Sequence, residues 1–198
     1  MTASLNANGS SGQWWVRHSA PIAKYSGGKR CYGQLNIALD PILFVSAVVA
    51  IDAAIPQDVA ILSSPSDRCL NLAHALSLRG GARTLQTDDR LQELNFGRWE
   101  GLAWDDIPRE EIDAWAGAPL DFNGHGGESV RQLAQRVTQA LNDAAALAVH
   151  QAVVCVTHNG PIRVALTLTQ QRDLDAMISE RGVAYGEIVR INNVVTAS

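Results

Sequence analysis

The chain has 198 residues, 46% of them hydrophobic and 18% charged, with a formal net charge of -4. That is the composition of one soluble globular domain, and its acidic balance gives no basic footprint for nucleic acid. Cys31, Cys69 and Cys155 are odd in number and widely spaced, without a CxxC pair, which argues against a disulfide framework or a structural zinc site and points to a reducing, cytoplasmic home.

Residues 1–13 are rich in Ser, Asn, Gly and Ala, with neither the cationic start nor the apolar core of a signal peptide, so they are expected to be a disordered tail. Residues 14–198 are expected to form a single domain. It opens with Trp14-Trp15-Val16-Arg17-His18, an apolar run that ends in a cation and an imidazole. A parallel strand buried on both faces is near-continuously apolar, and open α/β sheets bind ligands outside the carboxyl ends of their strands. Arg17 and His18 therefore stand where a ligand would be met. In the loop 24–33 (KYSGGKRCYG), Lys24, Lys29 and Arg30 suit the approach of an anion. Asp40 and Pro41 then read as an N-cap and first-turn proline for a helix over 42–54. The apolar run 41–55 is broken by Asp52 and is shorter than the ~20 residues that cross a bilayer, so it is expected to be a buried element.

Residues 59–62 (VAIL) repeat the pattern: a short strand, the turn Ser63-Ser64-Pro65, and a helix with apolar spacing at Cys69, Leu72, Ala73 and Leu76. Arg68 falls in the first turn of that helix, where the macrodipole disfavours a cation unless an anion sits nearby. After Gly80-Gly81 comes an apolar and acidic segment, 90–101. In it Glu93, set among Leu91, Leu94 and Phe96, is the carboxylate placed for proton transfer, and Glu100 reads as a hydrogen-bonding partner in a turn. Residues 102–115, with Trp104, Ile107, Ile112 and Trp115, predict a short helical insertion over the site. Ser129 and Gln132 form a capping box for the clearest helix, whose apolar face runs from Val130 to Ala148. Residues 151–157 (QAVVCVT) are a third apolar strand, ending at His158 and passing into a helix over 161–169 whose N-terminus suits an anion. A last strand is expected over 187–191.

Three strand-to-helix junctions thus end in Arg17-His18, in Arg68 and in His158. In a doubly wound sheet these junctions share one edge. Two arginines and one protonated histidine match a dianionic phosphate in charge and fork geometry, leaving the other histidine uncharged and able to attack.

The segments VRHSAP, SSPSDR, LQELNFGRWEG, GGES and VTHNGPIR resemble, in order and spacing, the histidine phosphatase superfamily, whose broad group includes the cofactor-dependent phosphoglycerate mutases. The resemblance spans 14–168. It implies a phosphoglycerate mutase-like fold: a three-layer α/β/α sandwich, its sheet mostly parallel with helices on both faces, and a small insertion around 102–127. It implies a phosphohistidine mechanism with His18 as nucleophile, Arg17, Arg68 and His158 as phosphate ligands, and Glu93 as proton donor. No metal and no cofactor are expected. The expected partner is a small-molecule phosphomonoester, not nucleic acid or a membrane, and the protein is expected to be a monomer or homodimer. Cys31-Tyr32-Gly33 and Phe96-Gly97-Arg98-Trp99-Glu100 look most like α-ribazole phosphatases, which act in cobalamin nucleotide-loop assembly; Tyr32, Trp99, Trp104 or Trp115 would stack on an aromatic base.

Three positions depart from the commonest family pattern. Ser19 and Ala20 replace Gly and Glu, and Asn159, placed with the substrate-binding residues, replaces a Gly in a turn whose left-handed backbone an asparagine tolerates. Two rival readings remain. One is a mutase-like phosphotransferase, disfavoured by the short C-terminal segment; the other is an inactive phosphate-binding relative.

Overall fold

A computed structural model of the protein describes residues 11–191. Five strands form one sheet in the order β3-β2-β4-β1-β5. Strand β1 (Gly12–Arg17) runs parallel to β4 (Ala152–Thr157), which runs parallel to β2 (Val59–Ser63), and β2 runs parallel to β3 (Arg83–Thr87). Only the edge strand β5 (Ile188–Ile191) is antiparallel.

Side chains alternate along a strand, and in β1 and β4 that alternation supplies two cores. Trp15, Val153 and Cys155 face α5 (Val130–Leu147) and α6 (Asn159–Thr169). Trp14, Val16, Val154 and Val156 face α2 (Pro41–Ala54) and α3 (Asp67–Ser77). Helices thus cover both faces, giving the expected three layers with a mostly parallel sheet. Two short helices, α1 (Ala23–Ser26) and α7 (Ala176–Ser179), lie in loops. Between β3 and α5, the helix α4 (Arg109–Gly117) belongs to a third cluster, in which Cys31, Trp99 and Ile107 pack with Trp104, Trp115 and Phe122. No helix of the described residues is long and apolar enough to cross a membrane.

Several expectations need correction. Strand β1 begins at Gly12, two residues inside the expected tail, because Gly12 and Gln13 pair with Ala152 and Val153 of β4, and the buried Gln13 side chain accepts from the Trp15 indole at 3.0 Å. Residues 1–10 of that tail lie outside the described residues. The edge strand β3 has no counterpart in the sequence reading: Leu85 is the one apolar residue of RTLQT, too little to show a period. Helix α6 starts at Asn159, not Pro161. The apolar run 41–55 is not buried as a whole. Val48, Ile51 and Ile55 face the core, while Ile42 stays 77% exposed and Leu43, Val45 and Val49 are exposed as well. A helix apolar all round has no polar face to say how much of it is covered.

The capping box on α5 is complete, with Ser129 Oγ accepting from Gln132 N and the Gln132 side chain accepting from Ser129 N. Ser129→Ala is expected to lower unfolding stability by about 1 kcal/mol, read as a lower urea midpoint at unchanged slope.

Candidate active site

The site is built at the carboxyl ends of the neighbouring strands β1, β4 and β2. His18 follows β1, His158 follows β4, and Arg68 enters from α3 just beyond β2. All three are buried, at 1% exposure or less. The Nε–H of Arg68 is shared between the two rings: it lies 3.2 Å from His18 Nε2 and 3.2 Å from His158 Nδ1. The ring centroids are 5.2 Å apart and the rings meet edge to face. The remaining guanidinium nitrogens of Arg68 donate to Leu35 O at 2.9 Å and to Gly33 O.

This arrangement sets both tautomers. A nitrogen that accepts from Arg68 carries no proton, so the proton of His18 lies on Nδ1, which donates to Ser19 O at 2.7 Å. Nε2 of His18 is left with its lone pair. By the same argument His158 carries its proton on Nε2, which donates to Ser64 Oγ at 2.8 Å. Burial, then the charge of Arg68, pushes both imidazoles well below their ordinary range. In the unliganded protein both are therefore neutral at pH 7, whereas the charge argument from sequence has one protonated. A bound anion would have to restore that proton.

A cavity of about 400 Å³ opens beside His18. Arg17, Tyr32, Glu93 and Asn159 line it, whereas Arg68 and His158 lie behind His18. Arg17 donates to Val183 O, and its Nε is buried with no hydrogen-bond partner. Glu93 caps α6: its carboxylate oxygens lie 3.1 and 3.2 Å from Gly160 N, and Oε1 also accepts from Leu94 N at 3.0 Å. The anion at that helix N-terminus is thus the protein's own carboxylate. A Cβ at position 160 would meet Glu93 Oε1 at 2.2 Å, so any side chain there would push the carboxylate from its seat.

Asn159 needs no left-handed backbone, since it is the first residue of α6 and has no positive φ. Its Oδ1 accepts from Val183 N at 2.9 Å, anchoring the carbonyl that holds Arg17. Of the candidate aromatic residues, Tyr32, Trp104 and Trp115 line the cavity, with the two tryptophans stacked at 13° and 6.0 Å; Trp99 is 1% exposed and belongs to the third core. Arg30 reaches the cavity wall, while Lys24 and Lys29 do not. Glu100 is structural, accepting from Gln34 N, Leu35 N and Phe96 N. Among the described residues no three His, Cys, Asp or Glu side chains cluster as for a metal ion.

Sequence reasoning did not single out Tyr185, Arg163, Arg136 or a role for Ser64. Tyr185 and Arg163 line the cavity, and Arg136 donates to Glu93 O at 3.0 Å, fixing the backbone that carries the carboxylate. Ser64 and Arg163 do have a signal in the sequence, the SSP turn after a strand and the end of the VTHNGPIR segment.

A mostly parallel sheet with two histidines and two arginines gathered at its carboxyl edge defines an α/β protein whose site holds positive charge not cancelled by a carboxylate among the described residues. Residues 14–192 match the sequence profile of the histidine phosphatase superfamily, branch 1, and the chain belongs to that family. A protein of Hydrogenobacter thermophilus provisionally named phosphoserine phosphatase 2 is 27% identical over 157 residues, which make up 77% of this chain and 75% of the relative. A mycobacterial glucosyl-3-phosphoglycerate phosphatase, solved with VO3, is 25% identical with a TM-score of 0.72, over 91% of this chain and 92% of that one. An Escherichia coli protein provisionally described as an alpha-ribazole-5'-P phosphatase is 20% identical with a TM-score of 0.76, over 92% and 91% of the two chains.

The histidine shifts have a consequence for stability. Imidazoles held below their ordinary value stay neutral in the native state, while the unfolded chain takes up protons below about pH 6.5. Their contribution is complete above that pH and is lost as pH falls below it toward the native values. The unfolding free energy from urea titrations is expected to be flat between about pH 7 and 8 and to fall between pH 6.5 and 5, by up to about 1.4 kcal/mol per pH unit for each imidazole. His158→Asn should make that fall shallower.

Proposed function

We propose that the protein is a phosphomonoester hydrolase working through a phosphohistidine on His18. The observation that carries this is the Arg68 Nε–H held between the two imidazoles, because it leaves His18 Nε2 unprotonated beside uncancelled positive charge.

In the proposed reaction Arg17 meets the phosphoryl group from the cavity wall, and the phosphoryl oxygens draw the Arg68 Nε–H away from the imidazoles, which frees the His18 Nε2 lone pair and lets Arg68 and a protonated His158 offset the charge that develops in an in-line transfer. The lone pair of His18 Nε2 attacks phosphorus while the ester P–O bond breaks. Glu93, protonated, gives its proton to the departing alkoxide. Water then attacks the phosphohistidine, Glu93 takes the proton from that water, and the N–P bond breaks to release inorganic phosphate and regenerate the imidazole. Two guanidiniums supply the charge that a metal ion supplies in other phosphatases, so the reading calls for neither metal nor cofactor.

For the leaving group we infer a flat aromatic or apolar moiety, as in α-ribazole 5'-phosphate. Support comes from the cavity wall, where Phe96, Trp104, Trp115 and Met177 stand beyond the phosphoryl site, and from the E. coli neighbour's printed description. A panel of α-ribazole phosphate, an aryl phosphate and phosphoserine tests this. The first two should show the higher kcat/KM, and a preference for phosphoserine would overturn the leaving-group assignment.

His18→Ala should abolish both turnover and the acid-labile, alkali-stable labelling of the protein by substrate phosphate. Labelling that persists in this variant would refute the nucleophile. Glu93→Ala should lose about 10²–10⁴ in kcat, the usual worth of general acid–base work, and recover in part with leaving groups of low pKa, as rapid-quench kinetics would show.

A further inference from the structure

Among the described residues neither Arg17 nor Arg68 forms an ion pair; every bridge found joins other residues. Each guanidinium instead faces a tyrosine ring. Arg17 Cζ lies 3.8 Å from the centroid of Tyr185, and Arg68 Cζ lies 5.6 Å from that of Tyr32. The two hydroxyls are 2.6 Å apart. On the hydrolase reading of the site, we propose that Tyr32 and Tyr185 form a bracket that positions both arginines for phosphate without using their N–H donors or cancelling their charge.

The choice of ring over carboxylate is what makes the bracket useful. A carboxylate beside Arg17 would take two N–H groups in a fork and neutralise the cation, competing with the phosphate. The face of an aromatic ring attracts the cation through its quadrupole and leaves the N–H edge untouched. The edge left over is visible, since Arg17 Nε is buried without a partner.

The hydroxyl bridge couples two separately fastened loops. The Tyr32 loop is stitched down by Cys31 N to Leu102 O at 2.9 Å and Gly101 N to Cys31 O at 2.8 Å. The Tyr185 loop is fixed by Gly186 N to Arg17 O at 3.1 Å and by Val183 N to Asn159 Oδ1 at 2.9 Å. Each loop therefore holds its own tyrosine, and the hydroxyl pair joins them beside His18, whose ring lies 5.7 Å from that of Tyr185. Burial, then the bond to Tyr185, pushes the Tyr32 hydroxyl above its ordinary range, so Tyr32 keeps its proton at neutral pH. Both tyrosines line the cavity as a wall, and a substrate entering beside them leaves the bridge in place.

The test is a double-variant cycle on the full chain, reading the inhibition constant for inorganic phosphate and KM for 4-nitrophenyl phosphate. Y32F and Y185F each keep a ring and lose the same hydrogen bond, so each should raise both constants about three- to tenfold, and Y32F/Y185F should do no worse than either. Y185L also removes the face under Arg17 and should raise the phosphate constant about tenfold beyond Y185F, with kcat moved less. Phe variants whose effects multiply, or a Y185L that binds phosphate like the parent, would overturn the bracket. A role in stability alone would lower the melting temperature and leave the phosphate constant unmoved, which overturns it too. If Y185L does not fold, the Phe cycle decides. A parent protein that turns over no phosphomonoester overturns only the hydrolase reading, and calorimetric titration with inorganic phosphate then decides the bracket by the same comparison; failure of the parent to bind phosphate overturns both.

Discussion

A single buried N–H organises this molecule. The guanidinium of Arg68, 1% exposed, is paired with no carboxylate among the described residues; its donors go to two imidazole nitrogens and two loop carbonyls. Burying a cation is costly unless its donors are satisfied, and carbonyls and imidazoles satisfy donors without cancelling charge. The positive potential therefore stays in place and adds to burial, the larger cause, in keeping protons off His18 and His158. The strand order puts β2, β4 and β1 side by side, and that adjacency is what brings residues 18, 68 and 158 into contact.

Much of this was legible from residue order, because a buried parallel strand reads as an unbroken apolar run and the polar residue that ends it marks the sheet's carboxyl edge. Arg17, His18 and His158 follow from that rule directly, and Arg68 from its awkward place in the first turn of a helix. What stayed hidden depends on long-range packing. Strand β3 is polar because it is an edge. Helix α2 is apolar on every side, so nothing in it distinguishes the covered stripe at Val48 and Ile51 from the bare one at Ile42 and Val45. Tyr185 sits in a segment without periodicity, and only the folded loop places its ring beneath Arg17. Asn159 was misjudged in the opposite direction: its substitution for glycine looked like a question of backbone strain, yet its side chain serves as a tether.

The aromatic segment between β3 and α5 packs on a small cluster of its own, joined to the main core through Phe96. Trp99, Cys31 and Ile107 give it a private core, and the Trp99 indole donates to Glu111 at 2.6 Å. Trp104 and Trp115 then face the cavity while belonging to this small core rather than to the sheet. Residues that line the cavity can change there without disturbing the strand ends that carry the histidines, a division of labour between scaffold and loop seen across α/β folds.

The seat of Glu93 at the start of α6 carries one more consequence. Its carboxylate oxygens accept from Gly160 N–H at the start of the helix, and Oε1 accepts from Leu94 N–H as well, so the side chain is pinned to backbone from two distant parts of the chain. Because Gly160 lies two residues after His158, one short stretch of backbone seats both the carboxyl group and the second imidazole, and a shift of that turn would carry the two together.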